Sequence, residues 1–192
     1  GLNRTSYRKL CESFGFNQSV GGSFASSKSR FVLSKKSDVA EVAQTAIGQG
    51  KTTITPLQNA LISAAIANDG VQMTPYLVDR IESVDGTIVK KYEPEVRRKV
   101  LSKKRSNQIT GMMRSVVSDG TAGSLKNLSY PVAGKTGTAE FDAQGTSHAW
   151  FVGFAPAAAP KIAVSVIVEG AGTGSQYAVP IASRLFEEYL GN

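Results

Sequence analysis

Tyr7, Leu10, Cys11 and Phe14 fall at i, i+3, i+4 and i+7, so residues 5–14 predict a short amphipathic helix with Gly15 as its stop. Residues 17–37 are rich in Ser, Gly and Lys and read as a loop, and a second short helix is expected over 38–46. A third helix opens at Thr55-Pro56-Leu57-Gln58: Thr55 can cap it, Pro56 suits the first helical position, and Gln58 completes a capping box. Its body, residues 57–68, is nearly all apolar and small, which predicts burial, and Gly70 ends it. Residues 76–92 hold two strand-like runs around Ser83-Val84-Asp85-Gly86-Thr87, where Asp85-Gly86 is a strong hairpin signal. Ser102 then caps a helix whose apolar stripe is Ile109, Met112, Met113, Val116 and Val117.

After Gly120 the pattern changes from helical to extended. Residues 131–141, 148–156 and 161–169 read as three strands. The last contains Ile162-Ala163-Val164-Ser165-Val166-Ile167-Val168, an almost unbroken apolar run that marks a strand covered on both faces. The connections are short enough for an antiparallel meander and too short for crossovers. A closing helix places Ala182, Leu185, Phe186, Tyr189 and Leu190 on one face. No internal repeat is visible. A mainly helical part over 1–120, with its hairpin near 76–92, followed by a sheet and closing helix over 121–192, indicates an α+β fold.

The 192 residues suit one domain able to bury most of its surface. Lys and Arg number 22 against 15 Asp and Glu, a net +7. The basic residues are scattered without aromatic interleaving or a nucleic-acid motif, so solvated loops and hairpin edges explain them better than a nucleic-acid partner. The single cysteine, Cys11, excludes an internal disulfide and a Cys-rich metal site, and the lone His148 argues against a histidine-based one. No cofactor is implied. No apolar run approaches the ~20 residues of a membrane span, and no signal peptide is visible, so any targeting segment would lie in other sequence.

The most informative stretch is Gly134-Lys135-Thr136-Gly137-Thr138-Ala139-Glu140, on an expected strand after the Gly-rich turn Asp119-Gly120-Thr121-Ala122-Gly123. A strand edge offers backbone N–H and C=O groups to an extended peptide. Lys135 supplies a positive charge, Thr136 and Thr138 supply hydroxyls suited to a carboxylate, and Gly137 allows close approach to the backbone. By itself the triplet reads better as an exposed polar strand end. Three further segments join it: Gly48-Gln49-Gly50 with Thr55-Pro56-Leu57-Gln58; Ala67-Asn68-Asp69-Gly70 running to Thr74-Pro75-Tyr76; and His148-Ala149-Trp150-Phe151-Val152-Gly153-Phe154-Ala155-Pro156. In this order the four resemble the transpeptidase domain of class B penicillin-binding proteins, and the resemblance extends over nearly the whole chain.

The resemblance implies a penicillin-binding-protein/β-lactamase-like fold and serine acyl-transfer chemistry on peptidoglycan stem peptides, with β-lactams acylating the same serine. It implies that Lys135 shapes the electrostatics of the site, that Thr136, Gly137 and Thr138 line the substrate, and that the Thr138 backbone N–H is one of two oxyanion donors. It also exposes two absences. The only Ser-x-x-Lys is Ser6-Tyr7-Arg8-Lys9, and at about 100° per residue Lys9 points away from its helix's apolar stripe into water, whereas a lysine acting as a base needs a pocket. No Ser-x-Asn occurs; Ser83-Val84-Asp85 is a Ser-x-Asp variant on a hairpin turn and reads as structural. Gly50-Lys51-Thr52 and Gly134-Lys135-Thr136 mimic the end of a phosphate-binding loop, but the glycine required five positions earlier is Thr45 or Ser129. His148 reads as a structural residue beside Trp150 in preference to a base.

The chain is therefore expected to be the carboxy-terminal part of a D,D-transpeptidase domain, inactive alone for want of the nucleophile. It would need the missing amino-terminal part of the same domain, or a swapped partner, to cover residues 161–169 as a sheet edge. The protein carrying it is expected on the extracytoplasmic face of the bacterial membrane, anchored by a segment outside this chain. A class D-like β-lactamase or β-lactam sensor shares several of these segments, but Thr138-Ala139-Glu140 and Phe154-Ala155-Pro156 favour the penicillin-binding proteins. A non-catalytic interaction module is the remaining alternative.

Overall fold

A computed structural model describes residues 3–22, 24–141 and 145–191. Four of the described helices begin where the sequence offers a cap. Asn3 accepts from the Ser6 N–H at the start of α1 (Arg4–Ser13), Asp38 from Glu41 at α2 (Val39–Ala46), Thr55 from Gln58 at α3 (Pro56–Ala67), and Ser102 from Arg105 at α4 (Lys103–Ser118). The expected capping box is only half present. The Gln58 side chain is fully buried and donates to the Phe14 carbonyl at 2.6 Å, while the Thr55 N–H is taken by the Ser29 hydroxyl at 3.0 Å.

Short strands β1 (Val71–Met73), β2 (Arg80–Glu82), β3 (Ile88–Lys91) and β4 (Val96–Lys99) form two antiparallel pairs, β2 with β3 and β1 with β4. The first pair is the hairpin expected at Asp85-Gly86; the second was not expected. A 3₁₀ turn, Gly123–Asn127, leads into the main sheet, in which β5 (Ala133–Glu140), β6 (Ser147–Ala155) and β7 (Ile162–Val168) run antiparallel in the order β5-β6-β7. A π turn, Gly174–Ala178, then starts α5 (Val179–Leu190).

Strand alternation divides the core. On one face Phe151, Val164 and Val166 pack with Val117, Leu125, Val132, Ala182 and Phe186, and the Phe151 and Phe186 rings meet edge to face at 6.3 Å. On the other, Ala133, Phe154 and Ala163 pack with Ile66 and Ala67 of α3 and Ile109 and Met113 of α4. β7 is thus covered on both faces, as its apolar run predicts. Three expected apolar faces are narrower than the sequence suggests. On α1, Leu10 is 48% exposed; on α4, Met112 is 63% exposed; on α5, Leu185 and Tyr189 turn outward, leaving Val179, Ala182 and Phe186 as the buried line. α3 departs furthest from expectation. Only Gln58, Ser63 and Ala65 are buried, and Leu57, Leu61, Ile62 and Ile66 remain half-buried. Among the described residues no helix is long and apolar enough to cross a membrane.

Candidate active site

Among the described strands β5 pairs only with β6, so its opposite edge is free. Two side chains show what that edge presents. Gln49 Nε2 donates to the Thr138 carbonyl at 3.0 Å, and Lys135 Nζ donates to the Thr136 carbonyl. In an antiparallel strand the N–H and C=O of one residue lie on the same side. The Thr136 and Thr138 N–H groups therefore face the same free edge. Alternation puts Lys135 and Gly137 on the α3/α4 face, opposite Val152 and Trp150 of β6, and Thr136 and Thr138 on the α5 face, opposite Phe151 and Ala149.

All four residues expected from the sequence, Lys135, Thr136, Gly137 and Thr138, line one groove of about 1270 Å³. The turn after α2 forms its other wall through Gly48, Gln49 and Gly50, and Phe141, His148 and Trp150 close one end. Lys135 is exposed and has no ion-pair partner among the described carboxylates. Thr138 is also exposed, whereas Thr136 is buried and shares a short hydrogen bond with the Thr121 hydroxyl. Gly137 has a packing role beside any role in ligand access: a Cβ there would lie 3.2 Å from Trp150 Cβ.

Lys135 also borders a second, apolar cleft of about 440 Å³ between α3 and α4, lined by Ile62, Ile66, Ile109, Met112, Met113 and Val116. These are half-buried side chains of α3 and the α4 stripe, of which Met112 is exposed and Met113 buried. The charged end of Lys135 thus sits where a polar groove meets an apolar one.

The remaining sequence candidates lie elsewhere. Ser6 and Lys9 are exposed on α1 and contribute nothing to the groove. Ser83 donates to Asp85 Oδ1 and to the Thr87 carbonyl inside the β2–β3 turn, and the Ser83 bond is the main influence holding the exposed Asp85 carboxyl below its ordinary range. Lys51 is engaged with Glu41 at 3.0 Å on the surface. His148 Nδ1 accepts from the Gly170 N–H at 3.2 Å, and its ring stacks on Phe141 with centroids 4.1 Å apart, a structural arrangement that uses both the nitrogen and the ring face.

Sequence reasoning missed two contributors. Thr121 was seen only as part of a Gly-rich turn, and Gln49 only as the middle of a Gly-x-Gly. Both act across long separations, 15 residues from Thr121 to Thr136 and 89 from Gln49 to Thr138, which no periodicity reports. A polar residue held between two glycines was the one available signal for Gln49.

The penicillin binding protein transpeptidase domain, as a family, matches residues 2–187. The peptidoglycan D,D-transpeptidase PbpA of Mycolicibacterium smegmatis is 39% identical over 153 residues, 75% of this chain and 31% of the relative. Stage V sporulation protein D of Bacillus subtilis is 34% identical over 98% of this chain and 31% of its own length. Among solved structures, the imipenem acyl-enzyme of penicillin-binding protein A from M. tuberculosis superposes with a TM-score of 0.87 at 31% identity, covering 97% of this chain and 42% of that one. Pseudomonas aeruginosa PBP2 in complex with WCK 5153 superposes at 0.83 and 28% identity, covering 100% and 45%. The chain spans about a third of the length of these curated relatives.

Proposed function

The chain belongs to the penicillin binding protein transpeptidase domain family, and from that premise we propose that it forms one wall of the active site of a peptidoglycan D,D-transpeptidase. The observation that carries this reading is the free edge of β5. It presents the Thr138 N–H and C=O together, along a groove of about 1270 Å³ and beside a lysine with no ion-pair partner among the described residues.

Each residue has a definite part. A stem peptide lying along the edge pairs its main chain with that of β5. Lys135 and the hydroxyls of Thr136 and Thr138 hold its terminal carboxylate by charge and hydrogen bonding. The Thr138 N–H is aimed at the oxygen that gains negative charge when a serine attacks the penultimate carbonyl. The serine then carries the acyl group until an amine of a neighbouring stem displaces it. β-Lactams would enter by the same route, presenting their carboxylate to Lys135 and their strained carbonyl to Thr138.

Among the described residues no serine lines the groove, and Ser6 stands exposed on α1. The reading therefore assigns the nucleophile and the second oxyanion donor to other sequence of the full-length protein. The apolar cleft beside Lys135 is the natural seat of that complementary part of the domain, because it offers Ile62, Ile66, Met112 and Val116 to a packing partner at the edge of the groove. On this reading the full-length protein works on the extracytoplasmic face of the membrane.

The test is Lys135→Ala in the full-length protein. Acylation by benzylpenicillin should slow by on the order of 100-fold, the usual loss on removing one transition-state stabiliser. An unchanged second-order rate constant would remove Lys135 from the site.

A further inference from the structure

Gln49 occupies the backbone acceptor that a substrate amide needs. Its side chain reaches from the turn after α2 to the Thr138 carbonyl, a solvent-exposed hydrogen bond of 3.0 Å. The turn is built to present that one side chain. Gly48 and Gly50 have φ of +81° and +86°, a conformation that favours glycine, and the backbone between them is pinned by the Gln49 N–H to the Gln44 carbonyl at 2.8 Å and the Gly48 N–H to Thr45 at 3.1 Å. The backbone is held, and the side chain alone is free to rotate.

A strand added to the free edge of β5 would donate its own N–H to the Thr138 carbonyl, because that carbonyl faces outward. Gln49 Nε2 already fills this acceptor. We infer that Gln49 is a specificity-determining residue that competes with the ligand amide for the Thr138 carbonyl and must rotate away when an amide-bearing substrate or inhibitor docks. This rests on the reading of β5 as the substrate-facing strand. The same competition leaves a ligand without that amide unaffected, since it has no amide N–H to place there. Gln49 thus discriminates by ligand chemistry, taxing donors at this position and sparing ligands that lack one.

The experiment compares two β-lactams on the full-length protein. Benzylpenicillin carries an exocyclic amide N–H beside its lactam ring; imipenem has no such amide. Gln49→Met keeps the bulk of the side chain and deletes the donor, and Gln49→Ala deletes both. In each variant the second-order acylation rate with benzylpenicillin should rise about two- to tenfold, the range that corresponds to one neutral hydrogen bond of ordinary net strength. The rate with imipenem should stay within twofold of wild type. Equal changes with both compounds, or no change with either, would overturn the inference while leaving the proposed function standing, provided the wild-type protein is still acylated. Failure of the wild-type protein to react with either compound removes the proposed function and this inference with it. Should the variants fail to fold, the wild-type protein gives the answer: the Gln49 side-chain amide resonances should move on acylation by benzylpenicillin and not by imipenem. Identical shifts with both would overturn the competition.

Discussion

Thr136 is the residue whose surroundings say most about how the groove is kept in order. Its hydroxyl is buried and held by the Thr121 hydroxyl, while Thr138, two positions on, is exposed. The hydroxyl proposed to meet a carboxylate is thus aligned by a neighbour on the turn after α4. Thr121→Val removes that neighbour at nearly constant volume. It should lower benzylpenicillin acylation of the full-length protein by roughly threefold to tenfold and cost about 1 kcal/mol of stability, as expected for one hydrogen bond. Paired measurements of acylation rate and urea midpoint check both, and no change in either would leave Thr136 positioned by the strand alone. Cys11 offers a separate residue-level check on the packing of α1. Burial, reinforced by the charge of Glu12, pushes its thiol up to about 11. A raised pKa keeps the thiol protonated, so alkylation by iodoacetamide at pH 8 should be about 100-fold slower than for an unperturbed cysteine. The rate should climb tenfold per pH unit up to about pH 11. A plateau near pH 8.5 would mean that α1 does not pack as described.

The elements divide into those that announce themselves and those that do not. β5, β6 and β7 were legible because alternation and an apolar run are local signals, and α3 and α4 because Thr55 and Ser102 are unambiguous caps. The pairing of β1 with β4 was not. Val96-Arg97-Arg98-Lys99 looks like a charged linker, and it becomes a strand through long-range bonds such as Thr74 N–H to the Glu95 carbonyl and Val100 N–H to Gly70. Arg98 reaches from that strand to the Glu12 and Ser13 carbonyls at the end of α1. Tertiary demand, not propensity, makes this pair. The burial of α3 was overestimated for a related reason. Composition reports that a helix can be buried, whereas the half-buried Ile62 and Ile66 show that this chain alone does not finish covering it. Within the sheet, β5 and β6 approach closely because Gly134 leaves room for Phe151; a Cβ at 134 would lie 2.4 Å from the Phe151 ring. Gly134→Val should therefore destabilise the fold by about 1–3 kcal/mol through overpacking. Phe186→Ala, which empties the other side of the same ring cluster, should cost about 3–5 kcal/mol. Chemical denaturation of the full-length protein checks both, and a loss below 0.5 kcal/mol at either position would contradict the packing.

At the scale of the whole molecule, uncovered surface recurs on both sides of the main sheet: among the described residues the edge of β7 is free on one side, and on the other lies the open apolar cleft between α3 and α4 with Lys135 at its rim. A two-faced apolar strand with one neighbour and an uncovered apolar cleft each favour association. The isolated chain should accordingly sediment as dimers or larger species at micromolar concentration, and a monodisperse monomer would count against the need for a complementary part. The groove tells the same story in chemical terms. On the proposed reading it holds a carboxylate, pairs with an extended peptide and stabilises an oxyanion, and among the described residues no serine lines it. Covalent labelling with a fluorescent penicillin tests that combination most directly. The full-length protein should become labelled at a serine outside these 192 residues, and the isolated chain should stay unlabelled at any penicillin concentration. Covalent label on the isolated chain, at Ser6 or any other serine, would contradict the account.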